Sequence, residues 1–207
     1  MAFLTKIKLS SVNNLSDARY AAAVGIDYIG FCFDHTHPQY IAPIKAKEMM
    51  DWITGSFLVA EFGNQSLESI IDISDVLGVE IIEVDNDLPP EQLTQLNKSI
   101  IKKIDVTLLS NEVLKNVLQA YDGVCDSFHF YASRQLTPEE LTNCISFIQD
   151  YKIIWGIPLD IHTLSNFVLQ HHPYAIHLAS GEEERAGIRD FDDLTSILET
   201  LTIEETE

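Results

Sequence analysis

Short apolar runs alternate along the chain with segments of helical period. Runs of strand character lie near residues 5–9, 27–33, 57–62, 79–84, 100–106, 124–131, 152–157 and 174–179. Segments with apolar positions three and four apart lie near 15–24, 43–53, 66–77, 89–97, 111–120, 136–149, 161–170 and 190–201. These make strand–helix pairs repeating about every 25 residues, close to the length one βα unit needs. Runs such as Tyr28-Ile29-Gly30-Phe31-Cys32-Phe33 are apolar at successive positions. A parallel strand covered by helices requires that on both of its faces.

The punctuation agrees with this division. Gly25 and Gly78 follow helical segments, where a left-handed cap is wanted. Thr137-Pro138-Glu139-Glu140 supplies a cap residue, a proline in the first turn and acids at the positive helix end, and Pro89-Pro90-Glu91 is a similar start. No linker or second composition regime interrupts the pattern. The expectation is an α/β protein: a single (β/α)8 TIM barrel over residues 1–203, followed by an acidic tail at 204–207. An open doubly wound sheet is the alternative, because periodicity does not report closure.

Composition narrows the function classes. The chain of 207 residues is 46% hydrophobic, enough for one substantial core, and no apolar run reaches membrane-spanning length. Its first residues lack the basic and apolar regions of a signal peptide. Cys32, Cys125 and Cys144 show no CxxC spacing, which reads as reduced, buried thiols in a cytoplasmic protein. The formal charge of −19 repels nucleic acid and anionic membrane. An anionic ligand would need local help, such as backbone N–H groups. The expected partner is a small-molecule ligand, with the protein a monomer or homodimer.

Lys8-Leu9-Ser10-Ser11-Val12-Asn13-Asn14-Leu15-Ser16-Asp17-Ala18, followed by Asp27-Tyr28-Ile29-Gly30-Phe31-Cys32-Phe33, resembles the first βαβ unit of the phosphoribosylanthranilate isomerases of tryptophan biosynthesis. A second anchor is Ala175-Ile176-His177-Leu178-Ala179-Ser180-Gly181-Glu182, with Gly187-Ile188-Arg189-Asp190 after it. Pro38, Tyr40 and Pro43 match a third family segment. The resemblance implies a (β/α)8 barrel without metal or organic cofactor. It also implies an Amadori rearrangement of N-(5-phosphoribosyl)anthranilate, in which a general acid opens the ribose ring and a general base moves a proton.

The chain departs from the family at the groups that handle protons. The family's basic Cys falls on Ser10 and its neighbouring Gly on Ser11. A serine hydroxyl is a poor base without an activating partner. Ser10 reads equally as an ordinary polar loop-edge residue, with Lys8 one layer below it on the same side of the strand. The family's substrate Arg falls on Gln39, which offers only neutral hydrogen bonds. No Asp ends the sixth strand, Ser127-Phe128-His129-Phe130-Tyr131; Asp126 comes too early, and His129 and Tyr131 share one face. Glu83 and Asp85 share a face of the fourth strand and form a candidate base pair, one pKa raised by its neighbour. Lys102 or Lys103 could pair with them. Of the family's strand 7 motif only Gly156 survives, beside a bulky Trp155 that fills core or stacks on a ligand. His35 and His37 form a weak metal signal without a third ligand.

The expected site is therefore Ser10, Asp85 and His129 as catalytic candidates. Gln39, Tyr131, Gly156, Ser180 and Gly181 are the expected ligand contacts, with Ser180 and Gly181 offering N–H groups to a phosphate. Three functions are open. The first is a barrel with weak or no isomerase activity that still binds a small phosphorylated metabolite. The second is an altered isomerase with Glu83 or Asp85 as base and His129 as acid. The third is a non-catalytic acidic interaction protein.

Overall fold

A computed structural model describes residues 2–180 and 192–203. Gly181, Glu182, the Gly187–Asp190 motif and the acidic tail lie outside the described residues. The strands are β1 (Lys6–Ser10), β2 (Tyr28–Cys32), β3 (Phe57–Phe62), β4 (Ile81–Val84), β5 (Ser99–Asp105), β6 (Ser127–Tyr131), β7 (Ile153–Trp155) and β8 (Ala175–Ala179). Between and after them run α1 (Leu15–Val24), α2 (Pro43–Met50), α3 (Leu67–Leu77), α4 (Pro90–Leu93), α5 (Asn111–Tyr121), α6 (Pro138–Ser146), α7 (Ile161–His171) and α8 (Asp192–Leu201). Each strand pairs in parallel with the next, and β1 pairs with β8, Lys8 lying opposite His177 and Ser10 opposite Ala179. The sheet is a closed (β/α)8 barrel, which disposes of the open-sheet alternative.

Local chemistry explains most element ends. Gly25 and Gly78 take φ of 89° and 68° and cap α1 and α3 in the left-handed conformation. Thr137 and Glu140 form a reciprocal capping box at the start of α6. Two elements are shorter than their periodicity suggests. α4 is one turn that continues as a 3-10 turn over Thr94–Leu96 and stops at Asn97 with φ 48°. β7 ends at Trp155, although the Gly156 amide still donates to the Phe130 carbonyl at 2.8 Å, and Pro158 has no donor to continue the pairing.

The main apolar core lies between sheet and helices and includes Ile7, Leu9, Phe31, Ile82, Phe130 and Trp155. A smaller cluster of Tyr28, Val59, Ile101, Ile154 and Ala175 fills the lower barrel. Toward the carboxyl ends the buried residues turn polar: Lys8, Ser10, Glu61, Glu83 and His129. All three cysteines are buried and unbridged. No helix among the described residues is long and apolar enough to cross a membrane.

Candidate functional site

Lys8 organises the upper barrel. Its ammonium is fully buried and lies 2.5 Å from Glu61 Oε1 and 3.1 Å from Glu83 Oε2, and it donates to Ser10 Oγ. Glu61 reaches it because β2 carries Gly30: a Cβ there would stand 2.0 Å from Glu61 Oε1. The other Glu61 oxygen accepts from the Ser11 amide at 3.0 Å and the Ser11 hydroxyl at 3.2 Å. Those bonds hold Ser11 at φ 59°, a left-handed backbone that suits the glycine the family keeps at this position. Burial works against the charge of Lys8, but the two carboxylates outweigh it and hold its pKa above the ordinary lysine value. Burial likewise favours neutral Glu83, yet Lys8 and His129 keep its carboxyl well below the usual range.

His129 Nδ1 lies 2.9 Å from Glu83 Oε2. Because that carboxylate is ionised, the shared proton belongs to Nδ1, and Nε2 carries the lone pair. Burial, reinforced by Lys8 and Lys103 and opposed by Glu83, lowers the His129 pKa. The ring is thus neutral and poorly suited to the acid role expected for it. Nε2 is buried and has no hydrogen-bond partner among the described residues. It occupies the space left by Gly156, where a Cβ would lie 2.5 Å from Nε2 and 2.9 Å from the Phe130 carbonyl. One of those neighbours is backbone, so Gly156→Ala is expected to cost about 1–3 kcal/mol through overpacking. Urea unfolding checks this. A variant as stable as the parent would show that the strand moves freely here. The half-buried His177 ring packs on His129 with centroids 4.3 Å apart; burial first, then His129 and Lys8, push its pKa well down.

Higher on the wall, Asp85 Oδ2 lies 3.4 Å from Lys103 Nζ and accepts from the Tyr131 hydroxyl at 3.3 Å. Lys103 is the lysine that pairs with the strand 4 carboxylates; Lys102 donates instead to the Asn86 carbonyl. The Asp85 pKa is raised, chiefly by burial and against the pull of Lys103, with the Glu83 charge a lesser cause. The candidate base pair is therefore split. Glu83 is a paired anion, and only Asp85 has the raised pKa expected of one member.

Ser10, Asp85 and His129 line one cavity of about 210 Å³, together with Glu61, Glu83, Lys103, Cys32 and His177. Burial pushes the Cys32 thiol up to about 11, so it supplies no thiolate at neutral pH. Gln39 and Ser180 stand at the same cavity but are already engaged. Gln39 accepts from Asn13, the Ser180 amide donates to the Ser10 carbonyl at 3.1 Å, and the Ser180 hydroxyl donates to the Ser11 carbonyl at 2.9 Å. Both Ser180 donors thus have partners within the barrel, and Gly181, the other residue expected at a phosphate, lies outside the described residues. Tyr131 and Gly156 are not on this wall: one is tied to Asp85, the other packed against His129. Asp126 faces the opposite barrel end, accepting from Ser99 and Ile100. His35 packs at a tilt against Tyr40, and His37 accepts from the Gln39 amide. Among the described residues no group of His, Cys, Asp and Glu is arranged to hold a metal ion.

Two contributors were not singled out from sequence, Glu61 and the imidazole of His177. The available signal for Glu61 was one charge inside the apolar run Phe57-Leu58-Val59-Ala60-Glu61-Phe62. For His177 it was an ionisable residue in Ala175-Ile176-His177-Leu178, at the family's Asp position.

A family model described as N-(5'-phosphoribosyl)anthranilate (PRA) isomerase matches residues 7–200. The N-(5'-phosphoribosyl)anthranilate isomerase of Bacillus mycoides is 28% identical over 183 residues, covering 86% of this chain and 89% of that protein. That of Thermotoga neapolitana is 31% identical over 99 residues, 47% of this chain and 48% of that one. A solved structure of monomers made from the dimeric Thermotoga maritima isomerase superposes with a TM-score of 0.80 at 18% identity, over 95% of this chain and 98% of that one. A likeness at that identity speaks for the fold alone.

Proposed function

Since the chain belongs to the N-(5'-phosphoribosyl)anthranilate isomerase family, we infer that it is an isomerase-type barrel that has kept a ligand cavity while losing the usual proton-handling pair. Its Amadori isomerase activity is weak or absent, and it binds a small phosphorylated metabolite.

One observation carries this reading. At the family's base position stands a Ser10 hydroxyl that accepts from the Lys8 ammonium. To act as a base the hydroxyl must first give up its proton. Lys8 cannot take it, because Glu61 and Glu83 hold the lysine in its protonated form. The acid role has no carboxyl at the end of β6, and His129 is held neutral. The cavity offers ligand contacts all the same. Among its described lining residues Lys103 is the cation, and it can meet an anionic group.

A turnover assay following anthranilate fluorescence with the purified chain and N-(5-phosphoribosyl)anthranilate tests this. Positioned acid and base groups each contribute about 10²–10⁴-fold. Turnover is therefore expected at least about 10⁴-fold below that of an isomerase carrying both groups. A rate within about tenfold of such an enzyme would favour the second reading, in which Asp85, whose pKa burial raises, serves as base. In parallel, ribose 5-phosphate at about 100 times its Kd should stabilise the fold by about 2.7 kcal/mol, read as a rise in Tm. Ribose and ribose 5-phosphate acting alike would remove the phosphate from the proposal.

A further inference from the structure

The wall of the barrel cavity holds more negative than positive groups. The carboxylates of Asp34, Glu61, Glu83 and Asp85 line it, and Lys103 is the ammonium among its described lining residues. Lys8 lies beneath and is shared by Glu61 and Glu83. The lining imidazoles add no positive charge: the pKa values of His129 and His177 are lowered, and His37 accepts a hydrogen bond at Nδ1. Four carboxylates against two ammonium groups leave two negative charges uncompensated among the described residues. Asp34 is the carboxylate without a cation. Its Oδ1 accepts from the Thr36 amide at 2.9 Å and the Thr36 hydroxyl at 2.8 Å. Its Oδ2 accepts no hydrogen bond among the described residues and lies over Gly63, where a Cβ would stand 2.0 Å away. A second feature is independent of charge. His129 is 1% exposed, and its Nε2 is an acceptor to which no described residue donates. Nε2 faces the barrel interior. A Cβ on Gly156 would stand 2.5 Å from it, and Gly156 lies two positions beyond Ile154 of the lower-barrel cluster, on the same side of the chain. The wall therefore offers acceptors and negative charge where low polarity strengthens both.

We propose that the barrel cavity binds a small aliphatic amine as its ammonium, held by Asp34 Oδ2, with another N–H or O–H of the ligand donating to His129 Nε2. The phosphate reading rests on Lys103 and this one on Asp34 and His129, so neither needs the other.

Glucamine and sorbitol test this, because they share a carbon chain and differ by an ammonium in place of a hydroxyl. Binding to the full chain is followed by calorimetry and by the His129 ring resonances in NMR, with ribose 5-phosphate in parallel. Glucamine is expected to bind at least about tenfold more tightly than sorbitol and to move the His129 resonances. Asp34→Asn keeps an acceptor for Thr36 and should remove most of that preference. If the variant does not fold, raising NaCl to about 0.5 M replaces it, and should weaken glucamine about threefold or more while leaving sorbitol unchanged. No binding of either polyol, or equal binding of both, overturns the ammonium site. So does glucamine binding that leaves His129 unmoved or survives Asp34→Asn in full, since the amine would then sit on the acidic exterior. Should ribose 5-phosphate bind in those cases, the phosphate reading stands alone. A preference for glucamine without any response to ribose 5-phosphate sustains the ammonium site and removes the phosphate reading.

Discussion

Lys8→Met is expected to destabilise the fold by about 3–5 kcal/mol, because removing one member of a buried ionic group strands the others. Lys8 is 0% exposed, and Glu61 and Glu83 are 6% and 3% exposed. Without the ammonium, two carboxylates share the upper barrel with Lys103 and the histidines. Lys103 is already engaged by Asp85, so the compensating charge must come from a proton. His129, bonded to Glu83 and kept neutral in part by Lys8, is the nearest group able to take one. The variant should therefore show two signatures: a lower urea midpoint, and a His129 imidazole that titrates at higher pH by NMR. Adding Glu61→Gln and Glu83→Gln removes the stranded charges and should restore much of the stability, since apolar or neutral replacements of whole buried ionic groups are often tolerated. A single variant within about 1 kcal/mol of the parent would mean that water already reaches the cluster and screens it.

That cluster marks where sequence reasoning stopped. The frame was readable because each βα unit repeats the same contest of periods, and capping residues such as Gly25, Gly78 and Thr137 stand where the period changes. Ser10, Asp85 and His129 were readable as ionisable or polar groups near strand ends, and all three line the cavity. Their states were not readable. Whether Glu83 is a base or a locked anion depends on Lys8, 75 positions earlier in sequence and in contact only once the barrel has closed. Glu61 depends on the missing Cβ of Gly30 in the neighbouring strand, and Nε2 of His129 on the missing Cβ of Gly156. Parallel neighbours are set by crossovers, so local pattern carries no record of which side chains will meet. The Ser180 amide shows the same limit: its partner, the Ser10 carbonyl, is set by closure of β8 onto β1 and is not written in the local sequence.

The two adjoining histidines, His129 and His177, should make the protein lose stability with acid well above the carboxylate range. Both pKa values are lowered in the fold. In the unfolded chain a histidine takes up its proton near pH 6.5, whereas in the folded protein it resists until lower pH. Between those limits the unfolded state binds more protons, so stability falls as pH falls. From pH 7.5 to pH 5.5 the almost fully buried His129 therefore contributes a loss of stability, and His177, partly screened by water, contributes a further one. Glu83 acts later. Its lowered pKa adds stability that is complete above the ordinary glutamate value near 4.3 and is lost only below it. Asp85 has the opposite sign: its raised pKa makes the folded state take up a proton first, offsetting part of the loss in the window just above pH 3.9. Urea unfolding free energies at half-unit steps separate the contributions. The parent should decline from about pH 6.5 downward, and His177→Asn should remove only part of that limb, leaving the His129 share and the loss below pH 4.3. A parent whose stability is level between pH 7.5 and pH 5.5 would show that both imidazoles are protonated as readily in the barrel as in the open chain, and that the His129–His177 pair is open to solvent.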